Sequence, residues 1–249
     1  MPRDFLEVFY KGEGFSGSQI QNNANTIQSE IEKAFFIFFK KRVTLTGSSR
    51  TDAGVHALQN FFQFDWDDNF LESALYNINA IIPRNIVVKS IKKVKPDSNS
   101  RYDAISREYK YYINSSKNPF LEDRSWFIPY PLDHHLLNEC AKLIGQNRNF
   151  KVFSKQNTQS KTFDCTIYES IWFLENNCLV YSVKANRFLR GMVRGLVGTM
   201  IKVARGTISI SEFHTLLENN IQSTADFSAP AKGLFLIKVS YPDEVFLID

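Results

Sequence analysis

Gly47-Ser48-Ser49-Arg50-Thr51-Asp52-Ala53-Gly54-Val55-His56 is a polar decapeptide between two short segments rich in β-branched or aromatic residues. Those segments, residues 43–46 and 58–65, are predicted strands, so the decapeptide is a loop held at both ends by a sheet. Such loops often carry catalytic residues. A guanidinium at Arg50 would keep the Asp52 carboxylate ionised, and an ionised carboxylate can act as a nucleophile or base. The alternative is a surface turn in which Asp52 bonds its own backbone.

The bulk composition is that of a soluble globular protein. The chain has 249 residues, of which 43% are hydrophobic and 22% charged, enough for one large domain or two smaller ones. The formal net charge of +4 is too small to argue for a nucleic acid partner by itself. The 22 phenylalanines and 10 tyrosines stand out. Most of these rings belong to the core, and a few are candidates for stacking on bases.

Cysteine and histidine spacing predicts neither a disulfide framework nor a metal site. The three cysteines, Cys140, Cys165 and Cys178, are widely spaced, which is typical of a reducing compartment. The N-terminal residues lack the apolar core of a signal peptide, and no apolar run reaches membrane-spanning length. We therefore expect a soluble protein of the cytoplasm, without membrane contact.

Strand and helix signals alternate in the first half of the chain. Helices are predicted at residues 26–40, with Asn25 as the N-cap, and at residues 70–81. Strands that are separated by helices but also paired through short loops predict an α+β fold with helices on one face of a largely antiparallel sheet. The polar, proline-containing segment 95–100 is the best linker candidate. The predicted domains are therefore residues 1–97, which carry the Asp52 loop, and residues 98–249.

Tyr109 lies in a predicted strand, residues 107–114, in which aromatic residues alternate with others. An ordinary tyrosine of a half-buried sheet is the interpretation that this pattern alone favours. A tyrosine that packs on a substrate base is the functional alternative.

A predicted helix at residues 186–204 has one apolar face and one basic face. Arg187, Arg190 and Arg194 fall together on the basic face, in a stretch without acidic residues. Such a face is a candidate track for RNA phosphates, and a solvated surface is the other interpretation.

The run Arg50-Thr51-Asp52-Ala53-Gly54-Val55-His56-Ala57 resembles the active-site motif of the tRNA pseudouridine synthase A family. Further matches follow in order over nearly the whole chain. They are Arg101-Tyr102-Asp103-Ala104, Tyr109 with its neighbours, Met192-Val193-Arg194, and Ala229-Pro230-Ala231-Lys232-Gly233-Leu234. The resemblance implies an isomerase that converts uridine to pseudouridine at positions 38 to 40 of the tRNA anticodon stem-loop. It also implies two ferredoxin-like halves joined into one sheet, a homodimer, tRNA as the partner and no cofactor.

The resemblance also implies a role for each matching residue. Asp52 would be the catalytic aspartate, positioned by Arg50 and paired with Arg194. Tyr109 would pack on the target base, with Leu234 beneath it. The substrate-binding arginines expected from these motifs and their surroundings are Arg101, Arg107, Arg187 and Arg190.

The chain departs from the family pattern near the first turn. Lys11 and Ser18 replace an aspartate and a tryptophan, and Ser49 replaces a glycine in front of Arg50. Because these changes leave Asp52 and its partners intact, we expect them to affect RNA contacts and the turnover rate rather than the kind of reaction. Three rival functions are a pseudouridine synthase of other RNA sites, a non-catalytic RNA-binding protein on the same scaffold, and a metal-dependent hydrolase that uses Asp52.

Overall fold

The computed structural model describes residues 2–67, 72–156, 161–219, 221 and 224–247. The chain divides into two compact units, Met1–Ile105 with Phe235–Asp249, and Ser106–Leu234. In chain order the elements are β1 (Arg3–Tyr10), α1 (Ile27–Phe39), β2 (Thr46–Gly47), β3 (His56–Asp65), α2 (Glu72–Ile81), β4 (Ile86–Val94), β5 (Ser106–Asn114), β6 (Trp126–Phe127), α3 (His134–Gln146), β7 (Ile167–Glu175), β8 (Cys178–Ala185), α4 (Met192–Ala204), α5 (Ile210–Asn219) and β9 (Leu234–Ser240). Within these ranges, every helix is too short or too polar to cross a membrane.

The first unit is built on a sheet with the strand order β4-β1-β3-β9. β1 lies between β4 and β3 and is antiparallel to both, whereas β9 runs parallel to β3, with Phe235 opposite His56. The short strand β2 also pairs with β3 and begins at Thr46. The strand predicted at residues 43–46 is therefore displaced toward the loop, although Val43 and Leu45 are buried as an apolar segment should be.

Helix α1 covers this sheet with an apolar face. The residues of this face are spaced three or four positions apart, as expected for one side of a helix. Ile27, Ile31, Ala34 and Phe35 are all at most 1% exposed, and the ring of Phe35 packs edge-on against Phe64 of β3. The packing of one helix face on the apolar side of a strand is what orients β3, and with it the loop that precedes it.

The start of α1 differs from the sequence prediction by one residue. Thr26, not Asn25, is the N-cap, and it forms a capping box with Ser29. The Thr26 hydroxyl accepts a hydrogen bond from the Ser29 amide at 3.1 Å, and the Ser29 hydroxyl accepts one from the Thr26 amide at 3.0 Å. Asn25 serves the preceding turn instead, since its carbonyl accepts a hydrogen bond from Ser16.

The second unit contains an antiparallel sheet in which β8 lies between β5 and β7. The turn between β7 and β8 places Asn176 and Asn177 at φ of 50° and 62°, which suits a two-residue hairpin turn whose central residues are both left-handed. Helix α3 packs on β7. The sheet of each unit is mostly antiparallel and combined with helices, which confirms the predicted α+β class.

The predicted basic helix at residues 186–204 is shorter than expected and begins only at Met192. Gly191 stands at its N-terminus with φ of 74°, a left-handed conformation that interrupts any helix running through it. Upstream, the Asn186 side chain accepts a hydrogen bond from the Thr166 amide at 2.8 Å. Arg187 and Arg190 therefore lie in an irregular segment, and they do not share a helical face with Arg194.

The two compact units divide the chain differently from the predicted domains. The first unit extends to Ile105 and also contains the last strand from Phe235 onward, which the sequence prediction assigned to residues 98–249. Compactness does not establish whether a segment folds alone, so the predicted boundary at residues 97 and 98 stays a prediction.

Replacing Thr26 with alanine should destabilise the protein, because it leaves the Ser29 amide without its capping acceptor. We expect a loss of about 1 kcal/mol in the free energy of unfolding, measured by urea denaturation. Asn25→Ala is the matched control and should change this free energy by less than about 0.5 kcal/mol. An equal loss for the two variants would show that the hydroxyl of Thr26 is not the cap.

Candidate active site

The Asp52 loop joins β2 to β3 and ends in a tight turn. The Val55 amide donates to the Asp52 carbonyl at 3.1 Å, and Gly54 has φ of 78°. That conformation strains residues other than glycine, which explains why glycine occupies this position. Asp52 itself is only partly buried, so its carboxylate is both held by a defined turn and open to a substrate.

The glycine-rich turn after β1 packs directly on this loop. A Cβ at Gly12 would lie 2.1 Å from the Val55 carbonyl oxygen, and one at Gly17 would lie 2.8 Å from that of Thr51. The Gly12 amide also donates to Nδ1 of His56 at 3.2 Å. The two glycines are therefore required by the close approach of two backbones, and the first turn forms one wall of the Asp52 loop.

The positive charge near this loop comes from Arg50 and Arg101. Partial burial lowers the pKa of Arg50, and repulsion from the nearby Arg101 charge lowers it further. Arg101 is exposed, with its guanidinium carbon 5.5 Å from the centre of the Tyr102 ring. Two guanidinium groups close enough to repel each other form a surface that suits an anion such as a phosphate.

Tyr109 lies on β5 in the second unit and is 7% exposed. Its ring packs edge-on against Phe188, with 5.0 Å between the ring centres. Tyr111, two positions along the same face, donates its hydroxyl to the Pro230 carbonyl at 2.8 Å. Burial raises the pKa of Tyr111, against the opposing effect of the Arg194 charge. The aromatic face that carries Tyr109 is therefore rigid.

The segment before β9 lies against the same tyrosines. A Cβ at Gly233 would lie 2.7 Å from the Tyr111 ring, so this position requires glycine. The next residue, Leu234, is 6% exposed. The predicted segment Ala229–Leu234 thus lies beside the aromatic residues of β5.

Arg194 projects from the first turn of α4 and is held by two backbone carbonyls. Its Nε donates to Ala229 at 2.6 Å, and Nη2 donates to Phe227 at 3.3 Å. A guanidinium fixed in this way keeps one orientation, which suits an arginine that must pair with a carboxylate. The two units are compact bodies of their own, and the pairing of Arg194 with Asp52 stays a prediction.

The other predicted arginines have different surroundings. Arg107 is 8% exposed and donates to the Asn186 carbonyl at 2.9 Å, so it holds the irregular segment in front of α4. Arg187 donates to the Thr162 hydroxyl at 3.2 Å, whereas Arg190 is exposed. Within the described ranges, no group of three or more histidine, cysteine, aspartate or glutamate side chains is arranged to hold a metal ion.

The sequence analysis missed the residues that hold the Asp52 loop from behind. Asn60, which is fully buried on β3, donates to the Ser49 carbonyl at 3.0 Å and to the Tyr10 hydroxyl at 3.1 Å. Ser18 accepts a hydrogen bond from the Thr51 amide at 2.8 Å. The signal in the sequence was the position of Asn60 on the same strand face as Phe62 and Phe64, where a buried amide is tolerated only with hydrogen-bond partners.

Comparison with known proteins first gives the class. Residues 140–242 match the family model described as tRNA pseudouridine synthase. This segment contains α4 with Arg194 and the approach to β9, so the class rests on part of the geometry described above.

Relatives of full length then give the family. The chain is 38% identical to the tRNA pseudouridine synthase A of Parabacteroides distasonis over 251 residues, which cover 100% of both chains. It is 39% identical to that of Porphyromonas gingivalis, over 99% of this chain and 100% of the relative. It is 36% identical to that of Staphylococcus aureus, over 97% of this chain and 92% of the relative. The chain belongs to the tRNA pseudouridine synthase A family, and the activity class of that family is an isomerase acting on tRNA.

Proposed function

We propose that the protein converts uridine to pseudouridine at positions 38 to 40 of the tRNA anticodon stem-loop, with Asp52 as the nucleophile. The observation that carries the proposal is the Asp52 loop, which presents a partly buried carboxylate from a backbone clamped by the first turn. Uridine within a stem is stacked, so it must flip out of the helix to reach such a carboxylate.

The reaction is an isomerisation and needs no external reagent. The Asp52 carboxylate forms a bond to the anomeric carbon of the ribose as the bond to the base nitrogen breaks, and the base keeps that electron pair. The detached base rotates, its C5 forms the new bond to the anomeric carbon, and the carboxylate leaves. The proton on C5 is lost and the ring nitrogen gains one, so atoms and charge balance. An elimination assisted by the same carboxylate gives the same product.

The remaining site residues position the carboxylate and the RNA. Arg50 and Arg194 orient the Asp52 carboxylate, and the two backbone hydrogen bonds that hold Arg194 support this role. Tyr109 packs on the flipped base, with Leu234 beneath it, and the buried edge-on contact with Phe188 fixes its ring. Arg101, Arg107, Arg187 and Arg190 contribute to RNA binding. The exposed Arg101 and Arg190 and the half-buried Arg187 contact phosphates.

We also propose a homodimer in the cytoplasm, which is where tRNA is used. The support is the full-length similarity to the tRNA pseudouridine synthase A relatives, together with the widely spaced cysteines, all of which are buried. Sedimentation equilibrium of the purified protein should give twice the chain mass of 28.8 kDa. A single species at the chain mass under micromolar conditions would contradict the dimer.

Asp52→Ala should abolish pseudouridine formation, because no second carboxylate of the loop can replace the nucleophile. The measurement is release of tritium from C5-labelled uridine in a tRNA transcript, beside tRNA affinity, which should change less than about threefold. Asp67→Ala, which removes an exposed aspartate of the same unit, is the control and should keep full activity. Appreciable turnover by purified Asp52→Ala would contradict the assignment. A wild-type protein that binds tRNA but forms no pseudouridine would favour a non-catalytic RNA-binding protein.

The arginines should separate by role in a salt series. Arg190→Gln and Arg187→Gln should weaken binding to all tRNAs alike and reduce the slope of log affinity against log salt by about one contact each. Arg194→Gln should instead lower the single-turnover rate with a nearly unchanged slope, because its partner is a carboxylate.

Arg148→Gln, an exposed arginine of the second unit, is the control for the general effect of removing one charge. A change of salt slope for Arg194→Gln equal to that of Arg190→Gln, with the rate intact, would make Arg194 a phosphate ligand.

A further inference from the structure

A buried polar network lies behind the Asp52 loop, and the proposed chemistry makes no direct use of it. We call it the loop-holding network. Its members are Tyr10, Ser18, Ser48, Thr51 and Asn60, each at most 7% exposed. Five hydrogen-bonding side chains buried in one place cost desolvation energy, which is offset only when they are mutually satisfied.

The network binds both peptide groups that flank Arg50. On one side, the Ser49 carbonyl accepts a hydrogen bond from Asn60 Nδ2 at 3.0 Å. On the other side, the Thr51 amide donates to Ser18 Oγ at 2.8 Å. The peptide planes on both sides of Arg50 are therefore held by buried side chains. The second of these planes joins Arg50 to Thr51, the residue directly before Asp52.

Tyr10 links Asn60 to the side chain of Thr51. Its hydroxyl lies 2.8 Å from the Thr51 hydroxyl and accepts a hydrogen bond from Asn60 Nδ2 at 3.1 Å. Asn60 Oδ1 in turn accepts from the Ser48 hydroxyl at 2.8 Å. The network thus spans the loop from Ser48 to Thr51, and loss of one hydroxyl leaves a buried group without its partner.

We propose that Ser18 and Tyr10 are positioning residues for the reaction, which set the orientation of Arg50 and Asp52 before RNA binds. This inference rests on the proposed function of Asp52. An error of about 1 Å in the placement of a reacting group can cost roughly 10²-fold in rate, so a fixed backbone on both sides of Arg50 has catalytic value.

Ser18 stands at the position where the family pattern described above usually has tryptophan. The indole of tryptophan has a donor but no acceptor, so it could not receive the Thr51 amide. In this chain the hydroxyl of Ser18 therefore accepts a hydrogen bond from the Thr51 amide that a tryptophan side chain could not accept.

The test compares Ser18→Ala and Tyr10→Phe with matched controls of the second unit. Ser182→Ala removes a hydroxyl that is 2% exposed and donates to Glu169 at 2.8 Å. Tyr181→Phe removes a fully buried hydroxyl that lies 2.8 Å from that of Ser170. All four variants lose one buried hydroxyl, but only the first two lose contact with the Asp52 loop.

We expect Ser18→Ala and Tyr10→Phe to lower the single-turnover rate of pseudouridine formation by roughly 10- to 100-fold, with tRNA affinity within about twofold of the wild type. Ser18→Thr keeps the hydroxyl and should recover most of the rate. The controls should lower the melting temperature similarly while keeping the wild-type rate per folded molecule. Hydrogen exchange of the Thr51 amide should be faster in Ser18→Ala alone, because its acceptor is gone.

The possible outcomes distinguish a failure of the positioning role from a failure of the proposed function. An active wild type with unchanged rates in Ser18→Ala and Tyr10→Phe would overturn the positioning role and leave the proposed function standing. An inactive wild type would overturn the proposed function, and the inference with it. Should Ser18→Ala fail to fold, Tyr10→Phe, which removes a single oxygen atom, carries the same test.

Discussion

The close approach of the Gly17 and Thr51 backbones is the contact on which the candidate active site depends. No side chain fits between them, since a Cβ at Gly17 would lie 2.8 Å from the Thr51 carbonyl oxygen. The Ser18 amide donates to that same oxygen at 3.1 Å. Because the Gly17 and Ser18 carbonyls also accept hydrogen bonds from the first amides of α1, the contact joins the loop, the helix and the turn that follows β1. This arrangement determines the position of Asp52.

The fold class could be predicted from the sequence because alternation and capping are local signals. The strand predicted at residues 58–65, directly after the loop, was found for this reason. The basic helix was placed wrongly because a helical wheel assumes helical backbone at every position. A helical wheel contains no information on the left-handed conformation of Gly191. It therefore placed Arg187 and Arg190 on the same helix face as Arg194.

The candidate site could be predicted only in part, and the division has a physical reason. Asp52 and Arg50 are neighbours in one loop, so the motif contains both. The loop-holding network instead joins residues from three separate parts of the chain, and the irregular pairing of β1 between Val8 and Tyr10 decides where the Tyr10 hydroxyl lies. Such a register shift is not visible in composition or periodicity. The usable indication was Asn60, an amide on the strand face that also carries Phe62 and Phe64.

The parallel strand β9 has a consequence for the order in which the chain folds. Residues 106–234 form one contiguous stretch of the chain, whereas the first unit lacks β9 until residue 240 has been synthesised. Phe235 stacks on His56 with 4.5 Å between ring centres, immediately after the Asp52 loop. During synthesis, the sheet beside the Asp52 loop is therefore completed last, so a truncated chain lacks the support of that loop even when all residues of the motif are present.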